Sequence, residues 1–371
     1  MKKNRILTIT YNDQNISWGP AVHFLELWNN YQKNFPEITV DGIAPNWIKN
    51  GTLILEPLFR LNQIKVPNIS LLRQVVYDIN IAYQIVRVGR KYDCIYIRLS
   101  SFHLFSSMVL KAMKLKYFVE LNGIAFDDAK HAKKTKIYSY IVKTTTELMI
   151  KNSLGSIAVS DGIKEFAESC GAKNVLTIYN GVSSELFNIH KNDNYLKTVV
   201  YVGTFTPWDG HKRLLEFVHK FPNIKFLIVG GTDNLETIKQ KYKNTKNLEF
   251  LGFVDYSKLY NIYSNADAGI VLYDKGFRNN MKISSLKTLE YIASGLPIFS
   301  TNVPGQEFIF ENNIGCEATD DLNESFQHFI NNYESYNKQV ELFRKNSQEK
   351  ISWKVKAIET HLFLSKLICA E

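Results

Sequence analysis

The segment Ser284-Ser285-Leu286-Lys287-Thr288-Leu289-Glu290-Tyr291-Ile292-Ala293-Ser294-Gly295-Leu296-Pro297 shows in miniature how the whole chain is built. A small polar loop opens a helix, Gly295 ends it, and Gly-Leu-Pro leads into the apolar run Leu296–Ser300, which has the length of a strand. Upstream, the runs Thr198–Val202, Lys225–Gly230, Leu248–Leu251 and Ala268–Tyr273 alternate with segments of helical period. That alternation is the pattern of βα units on a parallel sheet. An earlier series reads Ile6–Thr10, Cys94–Arg98, Tyr117–Leu121, Ser156–Ser160 and Val175–Tyr179. Two successive series predict an α/β protein of two Rossmann-like, doubly wound lobes. A length of 371 residues suits two separate cores.

The polar stretch His190-Lys191-Asn192-Asp193-Asn194 separates the two series. The expected division is 1–186 for a first lobe, 187–350 for a second, and 351–371 for a C-terminal helix that packs back on the first. That helix offers Trp353, Ala357, Leu362, Leu364 and Leu367 for packing. Within the first lobe, Leu71–Val88 gathers Leu72, Val75, Val76, Ile79, Tyr83 and Val86 on one helical face, with Gly89 as a stop. Open parallel sheets bind ligands outside the carboxyl ends of their strands. Two such edges facing each other across a central cleft would suit a reaction between two substrates.

Composition narrows the classes. A hydrophobic fraction of 45% and a charged fraction of 22% are ordinary for a globular protein. No apolar run approaches the roughly 18 to 20 residues that span a bilayer. Ile6–Thr10 is too short for a signal peptide and reads as a buried strand, so a cytoplasmic location is expected. Cys94, Cys170, Cys316 and Cys369 form no CxxC pair, which argues against a zinc site or a disulfide framework. The net charge of +9, from 45 Lys plus Arg against 36 Asp plus Glu, favours anionic partners such as nucleotide phosphates or anionic lipid. No nucleic-acid module is present. The basic runs 130–136 and 239–246 read as solvated surface, with membrane contact at the inner face of the cell membrane a sharper expectation for the first.

Chemistry concentrates at the opening segment. Free N–H groups at the helix start attract a phosphate, helped by the helix dipole. Lys287 adds a full positive charge in the first turn. Glu290, three residues on and on the same face, can accept hydrogen bonds from two ribose hydroxyls.

The block Lys287-Thr288-Leu289-Glu290-Tyr291, with Ala293, Gly295 and Pro297, resembles the K-x-x-E-Y branch of the GT4 retaining glycosyltransferases. So do Val200-Tyr201-Val202-Gly203, Phe226-Leu227-Ile228-Val229-Gly230-Gly231, Phe250-Leu251-Gly252-Phe253-Val254 and, in the first lobe, Val119-Glu120-Leu121-Asn122-Gly123 and Ile178-Tyr179-Asn180-Gly181-Val182. The resemblance implies the GT-B fold and transfer of a hexose or N-acetylhexosamine from a nucleotide-sugar donor to a glycan or lipid-linked acceptor. It implies that Glu290 holds the donor ribose and that Ser285, Leu286 and Lys287 hold the phosphates. Gly252, Phe253 and Val254 would border the base, and Gly19 and Gly203 would lie in glycine loops near the donor.

The chain also departs from the family pattern. Thr204 and Asp209 stand where the wider family carries Arg and Lys, so Lys212, or else His211 or Arg213, would supply the diphosphate charge. Lys282 replaces an acid that often contacts the donor sugar. Front-face attack needs only stabilisation of the leaving diphosphate and positioning of the acceptor. No cofactor is expected, and no metal, since no Asp-x-Asp motif stands out. At the end of a first-lobe strand, Glu120 and Asn122 are the candidates for touching the reacting sugar, while His23 and His131 read as structural. A sugar-nucleotide epimerase and a catalytically silent nucleotide-binding protein are the alternatives.

Overall fold

The computed structural model describes residues 4–16, 19–47, 53–100, 102–124, 135–187, 195–206, 209–231, 235–273, 281–282 and 285–370. The chain divides into two compact units, residues 1–180 with 353–371, and residues 181–352. Where the sequence reading put the boundary at 186/187, the compact units part between Asn180 and Gly181.

The first unit runs β1 (Arg5–Thr10), α1 (Gly19–Asn34), β2 (Thr39–Asn46), β3 (Arg60–Lys65), α2 (Ser70–Val88), β4 (Cys94–Leu99), α3 (Leu104–Met113), β5 (Tyr117–Leu121), α4 (Lys136–Asn152), β6 (Gly155–Ala158), α5 (Asp161–Ser169) and β7 (Val175–Thr177). Its seven strands are parallel, in the order β3-β2-β1-β4-β5-β6-β7. β1 is flanked by β2 and β4, with Ile6 opposite Cys94. Every residue of β4 and β5 is buried, as expected of strands covered on both faces. β2 and β3 escaped the sequence reading. Gly42 and Pro45 interrupt the first, and the second is a polar edge strand with no buried residue.

The second unit runs β8 (Thr198–Gly203), α6 (His211–Phe217), β9 (Lys225–Gly230), α7 (Leu235–Lys241), β10 (Leu248–Gly252), α8 (Leu259–Ser264), β11 (Ala268–Val271), α9 (Leu286–Ala293), β12 (Ile298–Ser300), α10 (Glu307–Glu311), β13 (Gly315–Glu317), α11 (Leu322–Asn331) and α12 (Tyr333–Ser347). Its parallel order is β10-β9-β8-β11-β12-β13, which reverses direction between β8 and β11. Phe326 anchors the core, fully buried and packed on Phe217, Phe221 and Phe299 at ring distances of 5.3, 4.8 and 5.0 Å.

The C-terminal helix Trp353–Cys369 lies in the first unit, against α1. Tyr31 Oη and His361 Nδ1 are 2.9 Å apart, and the Trp353 ring meets His23 edge-on. Trp353, Ala357 and Leu364 are buried there, whereas Leu362 is exposed.

The apolar face of α2 read from the sequence is not the one the helix buries. Leu72, Ile79, Tyr83 and Val86 are exposed, and Tyr77, Asp78, Ile81 and Ile85 face inward. Tyr77 donates to the Thr10 carbonyl, and Asp78 accepts from the Tyr11 hydroxyl and the Phe105 N–H. The helix carries apolar residues on two nearly opposite stripes, so periodicity alone could not choose between them. Polar anchoring to the loop after β1 and to the start of α3 made the choice.

Candidate donor-binding site

The order of the second sheet reverses between β8 and β11, and their carboxyl ends form the edge where open parallel sheets take ligands. Helix α9 begins after β11. Its N-cap, Ser285, is extended, but the hydroxyl pairs with the Thr288 hydroxyl at 2.8 Å and caps no backbone N–H. Thr288 N–H donates to Ser285 O at 3.2 Å, which leaves the N–H groups of Leu286 and Lys287 and the positive dipole end to attract an anion.

Lys287 projects from this turn with little exposure. Its Nζ lies 3.9 Å from Asp209 Oδ1 and about 5 Å from the ring centres of Tyr201 and Tyr273. Asp209 is itself fixed, because its other oxygen accepts from the Thr206 N–H and hydroxyl at 3.2 and 2.9 Å. Its backbone bridges to Tyr273, and the Gly210 N–H donates to Leu272 O at 3.0 Å. A residue that the sequence comparison marked only as a departure therefore acts as counterion to the site's central lysine.

Glu290, one turn along α9, is buried and accepts a 2.7 Å hydrogen bond from the Tyr263 hydroxyl. Burial and the adjacent Glu290 carboxylate push the Tyr263 phenol well above its usual range, so it keeps its proton and stays a donor. Sequence reading missed Tyr263, since only folding brings α8 beside α9. Tyr291 explains the aromatic residue of the motif. Its hydroxyl accepts from Val202 N–H at 3.1 Å and donates to Val200 O at 3.3 Å, which clamps α9 onto β8. Its ring also fills the space where a side chain at Gly269 would project.

The remaining candidates of this unit fare differently. Gly203 ends β8, and Thr204 is exposed just beyond it. His211 is buried, stacked on Phe205 at 4.7 Å and bonded through Nδ1 to Asp209 O at 2.9 Å. Lys212 is exposed on the first turn of α6. Gly252 has φ of +68°, a left-handed turn at the end of β10 that favours glycine, and it presents Phe253, 62% exposed, with Val254 after it. Lys282 is also exposed.

In the first unit, Glu120 is enclosed. His23 Nε2 lies 3.0 Å and Arg98 Nε 3.6 Å from its Oε1, and Tyr96 donates to Oε2 at 2.6 Å. Burial alone would raise its carboxyl, but the charge and hydrogen bond of His23, with Arg98 and Tyr96, outweigh that and hold it well below the usual range. The Asn122 amide donates to Glu120, His23 Nδ1 meets Asn180 Oδ1 at 3.0 Å, and Arg98 donates to Pro20 O at 2.7 Å. Glu120, a candidate for touching the reacting sugar, therefore has both carboxylate oxygens engaged with His23, Arg98, Tyr96 and Asn122. Gly19 is the exposed first residue of that helix, and Asn122 is half-buried. His131 and the segment 125–134 lie outside the described residues. Among the described residues, no group of three His, Cys, Asp or Glu side chains is placed to hold a metal ion.

Residues 182–350 match the model of the family described as glycosyl transferases group 1. That match spans nearly the whole of the second unit. Every second-unit candidate from Gly203 to Glu290 falls inside this group 1 segment, while Gly19, Glu120 and Asn122 fall outside it. Over 181 residues the chain is 26% identical to the O-antigen biosynthesis glycosyltransferase WbnH of Escherichia coli, covering 48% of this chain and 50% of that one. The probable O-antigen biosynthesis glycosyltransferase WbiN of Escherichia coli matches equally. The chain spans about half the length of the curated relatives it matches.

Solved structures show the fold. Sucrose-phosphate synthase from Thermosynechococcus elongatus is similar with a TM-score of 0.75 at 16% identity, covering 99% of this chain and 100% of that one. WaaG, a glycosyltransferase involved in lipopolysaccharide biosynthesis, gives 0.71 at 13%, with coverage of 95% and 98%. Anabaena HepE in complex with UDP-glucose gives 0.69 at 12%, with 98% and 99%. The group 1 unit and the unit before it are the two parallel α/β lobes of the GT-B fold.

Proposed function

We propose that this protein is a retaining glycosyltransferase that moves a hexose or N-acetylhexosamine from a nucleotide-sugar to a glycan or lipid-linked glycan in bacterial surface polysaccharide synthesis. It works in the cytoplasm, at the inner face of the cell membrane, without a metal ion. One observation carries the reading. At the switch point of a group 1 sheet, an uncapped helix start, Lys287 and the buried carboxylate of Glu290 lie within one helical turn. The helix end and Lys287 neutralise the departing diphosphate, with Lys212 of α6 as a further cation. Glu290, oriented by Tyr263, accepts from the ribose hydroxyls, and Gly252, Phe253 and Val254 border the base. The leaving diphosphate oxygen takes the acceptor's proton as the glycosidic bond breaks. The likeness to O-antigen biosynthesis glycosyltransferases of Escherichia coli supports the polysaccharide assignment, and the HepE complex makes UDP-sugars the first donors to try.

A thermal-shift panel of UDP-, GDP- and dTDP-sugars tests it. A ligand at 100 times its dissociation constant stabilises the native state by about 2.7 kcal/mol. Glu290→Ala should weaken the stabilising donor by about 1.5 to 3 kcal/mol, the scale of a hydrogen bond to a charged group. Equal affinity in the variant removes the ribose assignment. A nucleotide-binding protein without transfer is the second reading, favoured by Asp209 beside Lys287. Donor binding with no sugar transferred or hydrolysed would select it.

A further inference from the structure

The stripe of α2 that the core rejects is continued on neighbouring helices. Helices α2, α3 and α4 pack on one another through a cluster of Val75, Leu104, Phe105, Phe102, Tyr138 and Val142. Outside that cluster, Leu72, Ile79, Tyr83 and Val86 of α2 are exposed, Tyr83 by 59%. Met108 of α3 and Ile137, Tyr140 and Leu148 of α4 are exposed too, Ile137 by 74%. Spacings of three, four and seven residues align the α2 set along one stripe, and Ile137, Tyr140 and Leu148, spaced by three and eight, fall on one side of α4. Single exposed apolar residues need no explanation, but aligned ones on adjoining helices mark an interaction surface.

The charges on these helices identify the partner. They carry Arg73, Arg87, Lys111, Lys136, Lys143 and Lys151 against two acids. Asp78 is buried in the hydrogen bonds already described, and Glu147 lies 3.9 Å from Lys143. An apolar stripe flanked by cations with almost no free acid is the composition of a helix lying in an anionic bilayer interface. A second copy of the same face would bring cation against cation, because a two-fold contact pairs a patch with itself.

We infer that the exposed stripes of α2 and α4 seat the protein on an anionic lipid surface, with Leu72, Ile79, Tyr83, Ile137 and Tyr140 entering the interface and the surrounding Lys and Arg meeting the headgroups. This deepens the membrane location in the proposed function and rests on it only for why a lipid surface is met. The nucleotide site lies in the other unit and is read separately.

Co-sedimentation with phosphatidylcholine vesicles, and with vesicles of phosphatidylcholine mixed with phosphatidylglycerol, tests the inference. The full chain should partition onto the anionic vesicles about tenfold or more above the neutral ones, and less as salt rises. Combining Ile79→Asp with Tyr83→Asp should lower that partitioning by about tenfold or more. Tyr140→Asp, on the second helix, should lower it in the same direction. All these side chains are exposed, so the variants should melt like the parent and keep its thermal shift with the donor. Equal sedimentation of parent and variants, or no sedimentation of the parent, overturns the inference while leaving the donor site standing. Concentration-dependent dimers in analytical ultracentrifugation that the same substitutions abolish would assign the face to a second copy and also overturn it.

Discussion

Glu120 and His103 are two buried titratable groups of the first unit that are both held without their proton, one as an anion and the other as a neutral ring. Glu120 is held ionised by His23 and Arg98, so its native carboxyl lies below its unfolded value. Its stabilising contribution is complete above the unfolded value of about 4.3 and is lost as pH falls below it. His103 is fully buried, accepts from the Ser100 N–H through Nε2 at 3.3 Å, and packs on Tyr11. Burial drives its pKa down to about 3. The native state therefore binds fewer protons than the unfolded chain between about 6.5 and 3. Stability should therefore drop as pH is lowered through that window, by up to about 1.4 kcal/mol per pH unit from this group alone. Urea unfolding of the parent and of His103→Gln between the Glu120 region and neutrality checks this. The variant should show a shallower slope, and equal slopes would mean that His103 is charged in the native state. At this scale Lys287 and Glu290 were legible from spacing, whereas the bond from Tyr263 was not. Its hydroxyl arrives from 27 residues upstream, and no local pattern encodes that approach.

Helix α9 is held to its sheet by Tyr291, and the absence of a side chain at Gly269 is what lets the ring lie there. A β-carbon at 269 would stand 2.2 Å from Tyr291 Cδ2, inside any real contact. Gly269→Ala should therefore destabilise the second unit by about 3 kcal/mol, the upper range for overpacking. It should weaken donor binding as well, since α9 carries Lys287 and Glu290. Adding Tyr291→Leu should recover part of the loss, giving a clearly non-additive pair in urea unfolding. Simple additivity would place the strain elsewhere. The central strands of both sheets were legible because burial on both faces writes them as unbroken apolar runs. β13 has only three residues and β3 is a polar edge, so neither shows such a run. The buried face of α2 was misjudged for a related reason. An aliphatic stripe suits lipid or a core equally well, and Tyr77 and Asp78 reach their partners only in the folded unit.

Across the whole molecule, cations exceed acids by nine, and the proposed donor edge carries Lys287 at a helix start. We therefore expect transfer to survive prolonged EDTA treatment. Loss of activity restored by a divalent ion would show that these charges are insufficient. No described helix is long and apolar enough to cross a membrane, so the lipid contact inferred above would be one of lying on the surface.

By itself, the sequence determined that two doubly wound parallel sheets follow one another, and that Lys287 and Glu290 share the first turns of one helix after a strand. Strand burial and helix starts are local signals written in short runs of residues. Only the tertiary structure decided that Asp209 lies against Lys287, that Glu120 pairs with His23 and Arg98, and which side of α2 meets solvent. Each of these depends on groups distant in the chain meeting within a few ångströms, where burial and pairing outweigh what any residue prefers alone.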